Sequence, residues 1–268
     1  MKRAMCLKRT NTSAISKNAD AIANAGSSGC SRCRILWLIV SYEVMSVLDD
    51  ISTRGAQIRE RLRQLIQRHE YPRDIRSLLL MAYVDIALEH HEAICLLTKS
   101  KLNGSAFAMV RPVFDTMFRA LWINKVATEQ QIEQARRDEL KFLMGKIRDD
   151  IKQGYFSDRP PEEAQLFDKI LQLLKEAWRA MSSYMHSGAL QIGRRFIGDE
   201  LKPNYSEGAI VEAVNLVTIA LLLLLHMFFV SMRCQKEDEE TQALLRQYRA
   251  DFGERLRALN TDENGIAR

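Results

Sequence analysis

Proline and glycine are scarce in this chain, which has five prolines and 12 glycines among its 268 residues. Strand-and-turn folds use both residues at their many reverse turns, so this scarcity favours long uninterrupted helices. The chain also lacks a glycine-rich phosphate loop, a Gly-x-Ser-x-Gly elbow and a His-Glu-x-x-His pair. These absences disfavour the nucleotide-dependent and hydrolase classes of enzyme.

Excess basic charge is absent from the body of the chain, although the formal net charge is +5. Residues 1–44 contain seven basic and two acidic side chains, and the remaining residues contain 32 of each. A neutral body gives no signature of DNA binding and no charge argument for nucleic-acid binding in general. A hydrophobic content of 47% and a charged content of 27% are those of an ordinary globular protein.

The N-terminal segment, residues 1–44, differs from the rest in composition. Up to residue 33 it is rich in Ser, Asn, Ala and Gly without periodicity, and Met45 offers an alternative start. We predict that residues 1–44 are a disordered tail or a mis-assigned translation start, and that residues 45–268 form the folded domain. Cys30 and Cys33 have the spacing of a metal or redox pair, but no second pair follows, so we predict no metal and no cofactor.

The body reads as consecutive amphipathic segments without repeats or strand–helix alternation, which predicts an all-α fold. We expect a single-domain helical bundle of about six to seven helices. The apolar stripe of the second helix, predicted to face the core, comprises Ile75, Leu78, Leu79, Ala82, Ile86, Leu96 and Leu97. The predicted helices span about residues 46–69, 73–101, 106–126, 128–153, 162–185, 207–234 and 237–259.

Several local signals refine these helices. Ser105 and Ser206 are expected to cap the third and sixth helices, and Thr128 with Gln131 resembles a capping box for the fourth. Pro112, inside the third helix, removes one backbone hydrogen bond and predicts a bend that could open a pocket.

The sixth helix contains an apolar window, Ala213 to Met232, that is long enough to span a bilayer. Asn215 and His226 would be costly in lipid, whereas a core helix can give them partners. We therefore expect a buried helix of a cytoplasmic protein. A single span in an inner membrane is the alternative, and Arg233 and Lys236 would then place its C-terminal side in the cytoplasm.

Chemistry is concentrated at the end of the fifth helix, from Trp178 to Gly188. Arg179 and His186 lie about two helical turns apart, so they share a face. An imidazole beside a fixed positive charge suits metal-independent RNA cleavage, with His186 as general acid/base and Arg179 stabilising the charged phosphorane. In the structural alternative, His186 and Tyr184 tie the helix end to the following loop by hydrogen bonds.

Arg followed by His after four to six residues at a helix end is similar to the signature of HEPN domains. The resemblance implies a small helical bundle that dimerises to form the cleft of a toxin or defence ribonuclease. Ala180 departs from the pattern, because the position after Arg is usually polar in that family. Arg63 and His69 also match the spacing, and chance supplies about as many matches in a chain of this composition.

Two further stretches, Leu102 to Trp122 and Ser183 to Arg195, resemble an uncharacterised family of bacterial all-helical proteins. This similarity covers about residues 70–235. It implies a common fold but no activity.

Helix three carries Arg111, Asp115 and Arg119 at four-residue spacing. On a solvated face such a row is routine, whereas a buried row would need partners such as His186 or a bound anion. We predict a helical binding or interaction module whose polar pocket joins this row to the end of helix five and the following loop. Tyr184, Arg194 and Arg195 complete the predicted binding residues, and the expected partners are a second copy of the chain and an RNA or protein.

A last cluster, on helix two, contains Asp85, Glu89, His90, His91 and Glu92. A di-metal site would require a Glu-x-x-His unit on each of two helices, and that unit is missing here. A polar stripe, or one buried histidine with satisfied hydrogen bonds, is the expected arrangement.

Overall fold

The computed structural model describes residues 46–155 and 177–262, and these residues are almost entirely helical. Besides the helices and the links between them, they contain a short antiparallel hairpin of β1 (Phe196–Ile197) and β2 (Glu200–Leu201). The all-α prediction is thus confirmed, while the predicted tail lies outside the described residues. The helices are α1 (Ser46–Ile66), α2 (Ile75–Lys99), α3 (Asn103–Lys125), α4 (Glu129–Arg136), α5 (Met144–Tyr155), α6 (residues 177–185), α7 (Ala189–Gly193), α8 (Glu207–Ser231) and α9 (Gln235–Asp262).

Helix α8 forms the centre of the core and packs against α2, α3 and α9. Its Leu221, Leu225, Phe228 and Phe229 are fully buried, which explains why the helix is apolar on every side. Within the described ranges it is the single helix long and apolar enough to cross a membrane, and 61% of that apolar window is buried inside the protein. The core helix of a soluble protein has this arrangement.

The polar residues of α8 have partners in the core. Asn215 accepts a hydrogen bond from the hydroxyl of Tyr248 on α9. The Thr218 hydroxyl donates to the Val214 carbonyl at 2.8 Å and lies 2.9 Å from Nε2 of His91 on α2. These contacts satisfy the Asn215 side-chain oxygen and the Thr218 hydroxyl, which would be costly to bury alone, whereas the Asn215 side-chain nitrogen has no hydrogen-bond partner among the described residues.

His91 is the one satisfied buried histidine expected in the helix-two cluster. Since the Thr218 proton is donated to a carbonyl, Nε2 of His91 donates to Thr218, and Nδ1 faces the thiol of Cys95 at 3.9 Å. Burial, with a smaller contribution from the Arg59 charge, lowers the pKa of His91 to about 3. The ring is therefore neutral at physiological pH.

Helix α1 lies against α2 at this point. Gly55 of α1 is buried, and a Cβ built there would lie 3.2 Å from Cε1 of His91 and 3.3 Å from the Cys95 sulfur. Arg59 and Arg63 of α1 both pair with Glu92, at 3.3 and 3.0 Å. Glycine thus allows the close approach, and the ion pairs fix it from one side.

The predicted core stripe of α2 is wrong. Ile75, Leu78, Ile86 and Leu96 are all exposed by 39% or more. The buried face contains polar residues that find partners, and a hydrophobicity pattern counts these against the core. Its members are Ser77, Leu80, Val84, Ala87, Leu88, His91, Ile94, Cys95 and Thr98.

Two predicted boundaries also change. Helix α3 begins at Asn103 without a side-chain cap, so Ser105 lies inside the helix rather than capping it. The fourth predicted helix is two helices, α4 and α5, separated where Asp138 adopts a φ of 57°. The break lets Phe142 pack edge-on against Trp122, with ring centroids 5.9 Å apart.

The remaining caps are as predicted. Thr128 and Gln131 form a complete capping box at the start of α4. The Ser206 hydroxyl accepts from the backbone of Ala209 at 3.3 Å and caps α8. Such caps satisfy amide groups that have no partner within the first helical turn.

Candidate functional site

Helices α3 and α6 meet through a polar contact at the predicted site. Arg111 of α3 donates to the Ser182 hydroxyl of α6 at 2.9 Å, and Ser182 donates to the Trp178 carbonyl at 2.6 Å. The Arg111 guanidinium also lies 5.3 Å from the centre of the Trp178 ring. A cation over an aromatic face is held by the ring quadrupole, so Arg111 has two independent contacts with α6.

Asp115 lies one turn along α3 from Arg111, with its Oδ2 3.6 Å from the Arg111 Nε. The two side chains are only 18% and 19% exposed, so the row belongs to a half-buried seam rather than a solvated face. Burial raises the pKa of Asp115, although the charges of Arg111 and Arg119 act in the opposite direction. The charges of the two arginines therefore do not fully offset the cost of removing this carboxylate from water.

Two more guanidinium groups flank this pair. Arg119 lies 4.7 Å from the centre of the Phe142 ring and interacts with the Tyr83 hydroxyl. Arg148 of α5 lies 5.5 Å from the centre of the same Trp178 ring that Arg111 contacts. We call the five residues Arg111, Asp115, Arg119, Arg148 and Trp178 the arginine cluster.

The arginine cluster contains buried polar atoms with no hydrogen-bond partner in the described part of the chain. They are Nε of Arg111, Nε of Arg119 and Oδ1 of Asp115. Buried donors are normally satisfied, and each unsatisfied one costs about 1–3 kcal/mol. With three cations and one carboxylate, the cluster can accept an anionic group such as a carboxylate or phosphate.

An apolar cleft of about 200 Å³ lies along the same pair of helices. Phe107 and Val110, in the turn of α3 that precedes Pro112, line one side, and Ala180, Met181 and Tyr184 of α6 line another. Residues of α8 complete the lining. Arg111 and Ser182 directly follow lining residues on their helices, so the cleft adjoins the arginine cluster.

The predicted loop residues form a second group at the start of α3. Tyr184 is 8% exposed, and its ring lies 5.0 Å from that of Phe107. Arg194 donates to the Asn204 carbonyl at 3.2 Å and so closes the hairpin loop. Arg195 lies against Gly104, where a Cβ would be 2.7 Å from a guanidinium nitrogen, so a larger residue there would displace the end of the Arg195 side chain.

Arg179 and His186 are both exposed. Neither side chain makes a hydrogen bond or ion pair with another residue of the described ranges. The helix end is tied down by Ser183 instead, whose hydroxyl accepts from the Leu190 amide at 3.0 Å. The expected tie through His186 and Tyr184 is therefore not what holds this helix end.

Sequence reasoning missed several members of the site. In the sequence, Trp178 stands only at the start of a motif. No sequence motif marks Arg148, Phe142 or Tyr205. The Tyr205 hydroxyl is buried without a hydrogen-bond partner among the described residues, and burial raises its pKa. An arginine with an aromatic residue on a neighbouring helix is a weak signal, because the pairing depends on tertiary packing.

A family of unknown function (DUF6988) matches residues 84–255, which include the arginine cluster, the apolar cleft and the hairpin. No curated protein and no solved structure matches the chain. The expectation of an uncharacterised family is thus confirmed over this range.

Proposed function

The chain belongs to this family of unknown function, and we propose that it is a helical binding module whose arginine cluster holds an anionic group of the ligand. The observation that carries the proposal is the set of buried, unpartnered atoms on Arg111, Arg119 and Asp115. A carboxylate or phosphate would satisfy the two Nε donors. A ligand hydroxyl or amine beside it would satisfy the free carboxylate oxygen.

The preorganisation of the cations supports this proposal. Arg111 and Arg148 lie over one ring, and Arg119 lies over another. Side chains held in this way lose little rotamer entropy on binding, which raises affinity for an anion of matching geometry. The adjoining apolar cleft gives room for a nonpolar part of the same ligand.

Thermal unfolding tests the proposal. The full chain would be heated with inorganic phosphate, citrate or adenosine monophosphate at constant ionic strength, beside the variants Arg111→Met and Arg148→Ala. A ligand that binds only the folded state raises the melting temperature by mass action. We expect stabilisation by at least one anion, with much weaker stabilisation of both variants.

Arg73→Ala is the matched control, because Arg73 is exposed and lies outside the cluster. It removes the same charge and should respond to anions as the unmodified chain does. Equal stabilisation of the unmodified chain and Arg111→Met, or no stabilisation by any of the three anions, would contradict the proposal.

A second candidate function is metal-independent RNA cleavage at Arg179 and His186. The observation that favours it is that both side chains are exposed and free of described partners, so an RNA could reach them. The HEPN-like mechanism needs a dimeric cleft, and the exposed Ile75, Leu78 and Ile86 of α2 offer an apolar face to a second copy. RNA cleavage in EDTA that is absent from His186→Ala would support it, whereas an uncleaved RNA would remove it.

A further inference from the structure

Three side chains with different donor atoms meet at one corner of the bundle, away from the arginine cluster. His69 follows the end of α1, Cys234 lies in the link between α8 and α9, and Glu237 lies in the first turn of α9. One donor atom from each lies within 4.8 Å of the other two. The Nε2 of His69 and the Oε2 of Glu237 are 2.9 Å apart.

Local structure explains how Cys234 and Glu237 come together. Arg233 adopts a φ of 58°, which turns the chain out of α8. The Cys234 carbonyl then accepts from the Asp238 amide at 3.0 Å and starts α9. Residues three apart share a helix face, so the thiol and the carboxylate lie on the same side of this first turn.

Burial makes the corner electrostatically unusual. Cys234 is 8% exposed and the Glu237 side chain 6%, whereas the His69 side chain is 40% exposed. The buried hydroxyl of Tyr71 lacks a hydrogen-bond partner among the described residues.

We propose that His69, Cys234 and Glu237 bind a zinc ion. Nitrogen, sulfur and carboxylate oxygen are the three donor types that zinc takes in proteins, with the fourth position filled by water. From zinc bond lengths of about 2.0–2.3 Å, donor atoms of a tetrahedral site lie roughly 3.3–3.8 Å apart. The His69–Glu237 pair, at 2.9 Å, would open by about 0.4 Å to reach that spacing, and the distances to the Cys234 sulfur, which are at most 4.8 Å, would close by up to about 1 Å.

Charge balance favours a divalent cation. A neutral imidazole, a thiolate and a carboxylate carry two negative charges, which one Zn²⁺ neutralises. Binding releases the thiol proton to solvent and leaves all oxidation states unchanged. The exposed edge of His69 gives the ion an entry path.

The site would join the end of α1 to the joint between α8 and α9, so zinc would also stabilise the fold. This inference is independent of anion binding at the arginine cluster. The two can fail separately, because they use different residues and different probes.

Zinc titration of the full chain is the test, with one precaution. Cys30 and Cys33 have a metal-binding spacing of their own, so Cys30→Ser/Cys33→Ser serves as the background for every measurement. After removal of metal by a chelator, we expect this background to bind one zinc ion per chain by elemental analysis. Cobalt(II) in its place should give the sulfur-to-metal charge-transfer band of a thiolate ligand.

Cys234→Ser and His69→Ala should each weaken zinc binding on the order of tenfold or more, and Cys234→Ser should abolish the cobalt band. Cys95→Ser is the matched control, because Cys95 is the other buried free cysteine among the described residues and its replacement should leave both readouts unchanged. His69→Ala changes a half-exposed side chain, so its circular dichroism should be that of the background. No zinc in the background, or unchanged affinity in folded His69→Ala, would overturn the proposal.

Discussion

Replacing Gly55 with alanine should destabilise the protein, although the same change usually stabilises a helix. In a helix interior alanine is favoured over glycine by about 1 kcal/mol. At Gly55 the new methyl group would lie 3.2 Å from Cε1 of His91 and 3.3 Å from the Cys95 sulfur. His91 is fully buried and held by Thr218, so it cannot move aside.

Overpacking of such a core contact costs about 1–3 kcal/mol, and displacing His91 endangers a hydrogen bond worth about 1 kcal/mol. These costs exceed the helix gain, so the net loss of unfolding free energy should be roughly 1–2 kcal/mol. For a chain of this size that lowers the melting temperature by about 2–4 °C for each kcal/mol.

Urea unfolding of the full chain followed by circular dichroism would measure the effect. Gly208→Ala is the control, because Gly208 lies in the first turn of α8 and an added Cβ there meets nothing within 4 Å. We expect the control to be neutral or slightly stabilised. A stabilised Gly55→Ala would refute the reasoning, since it would show that α1 can move away from α2 at no cost.

Two further predictions follow from the core. The pKa of His91 is about 3 in the folded chain, and its ordinary value is 6.5. Between these two pH values the unfolded chain binds a proton at His91 and the folded chain does not. The contribution of His91 to stability is complete above pH 6.5 and falls by about 1.4 kcal/mol per pH unit as the pH drops towards 3. Urea unfolding at two pH values should therefore give a slope that is steeper by about this amount in the unmodified chain than in His91→Gln, and equal slopes would contradict the prediction. Because α8 is mostly buried, the protein should leave membranes in a carbonate wash, whereas retention in the pellet would mean that α8 faces lipid.

The helix pattern was predictable from the sequence because it depends on neighbouring residues. The local signals are the scarcity of proline and glycine, the capping box at Thr128 and the serine at 206. The two caps each mark the start of a helix that the structure contains. The break between α4 and α5 was not predictable in this way. No proline or glycine marks residues 137–143, and the break is associated with Phe142 packing against Trp122 and Arg119.

The orientation of α2 was mispredicted for a related reason. The helix is apolar on more than one side, so periodicity alone could not choose the buried face. On the buried face, His91 has a polar partner on another helix, Thr218 of α8, whereas Ser77 bonds its own cap residue Asp74. A contact between helices such as that of His91 and Thr218 is not visible in a single-helix pattern.

The two candidate sites differ in how far the sequence could predict them. One helix carries the row Arg111, Asp115 and Arg119. The concentration of polar residues at the end of α6 predicts that this row lies close to it. Their half-burial was left open, because it depends on Trp178 and Phe142 covering the row from other helices.

The corner of Cys234 was missed altogether, and the comparison with Cys95 shows why. Both cysteines are isolated in sequence and both are buried, and an isolated buried cysteine is typical of a small hydrophobic core residue. Cys95 fits that description, because its thiol faces the neutral ring of His91 and burial raises its pKa to about 11. Cys234 instead lies beside the carboxylate of Glu237 and the ring of His69. Two thiols of similar exposure thus differ in their surroundings through one neighbour three residues away and another in the link after α1, and only the folded chain distinguishes them.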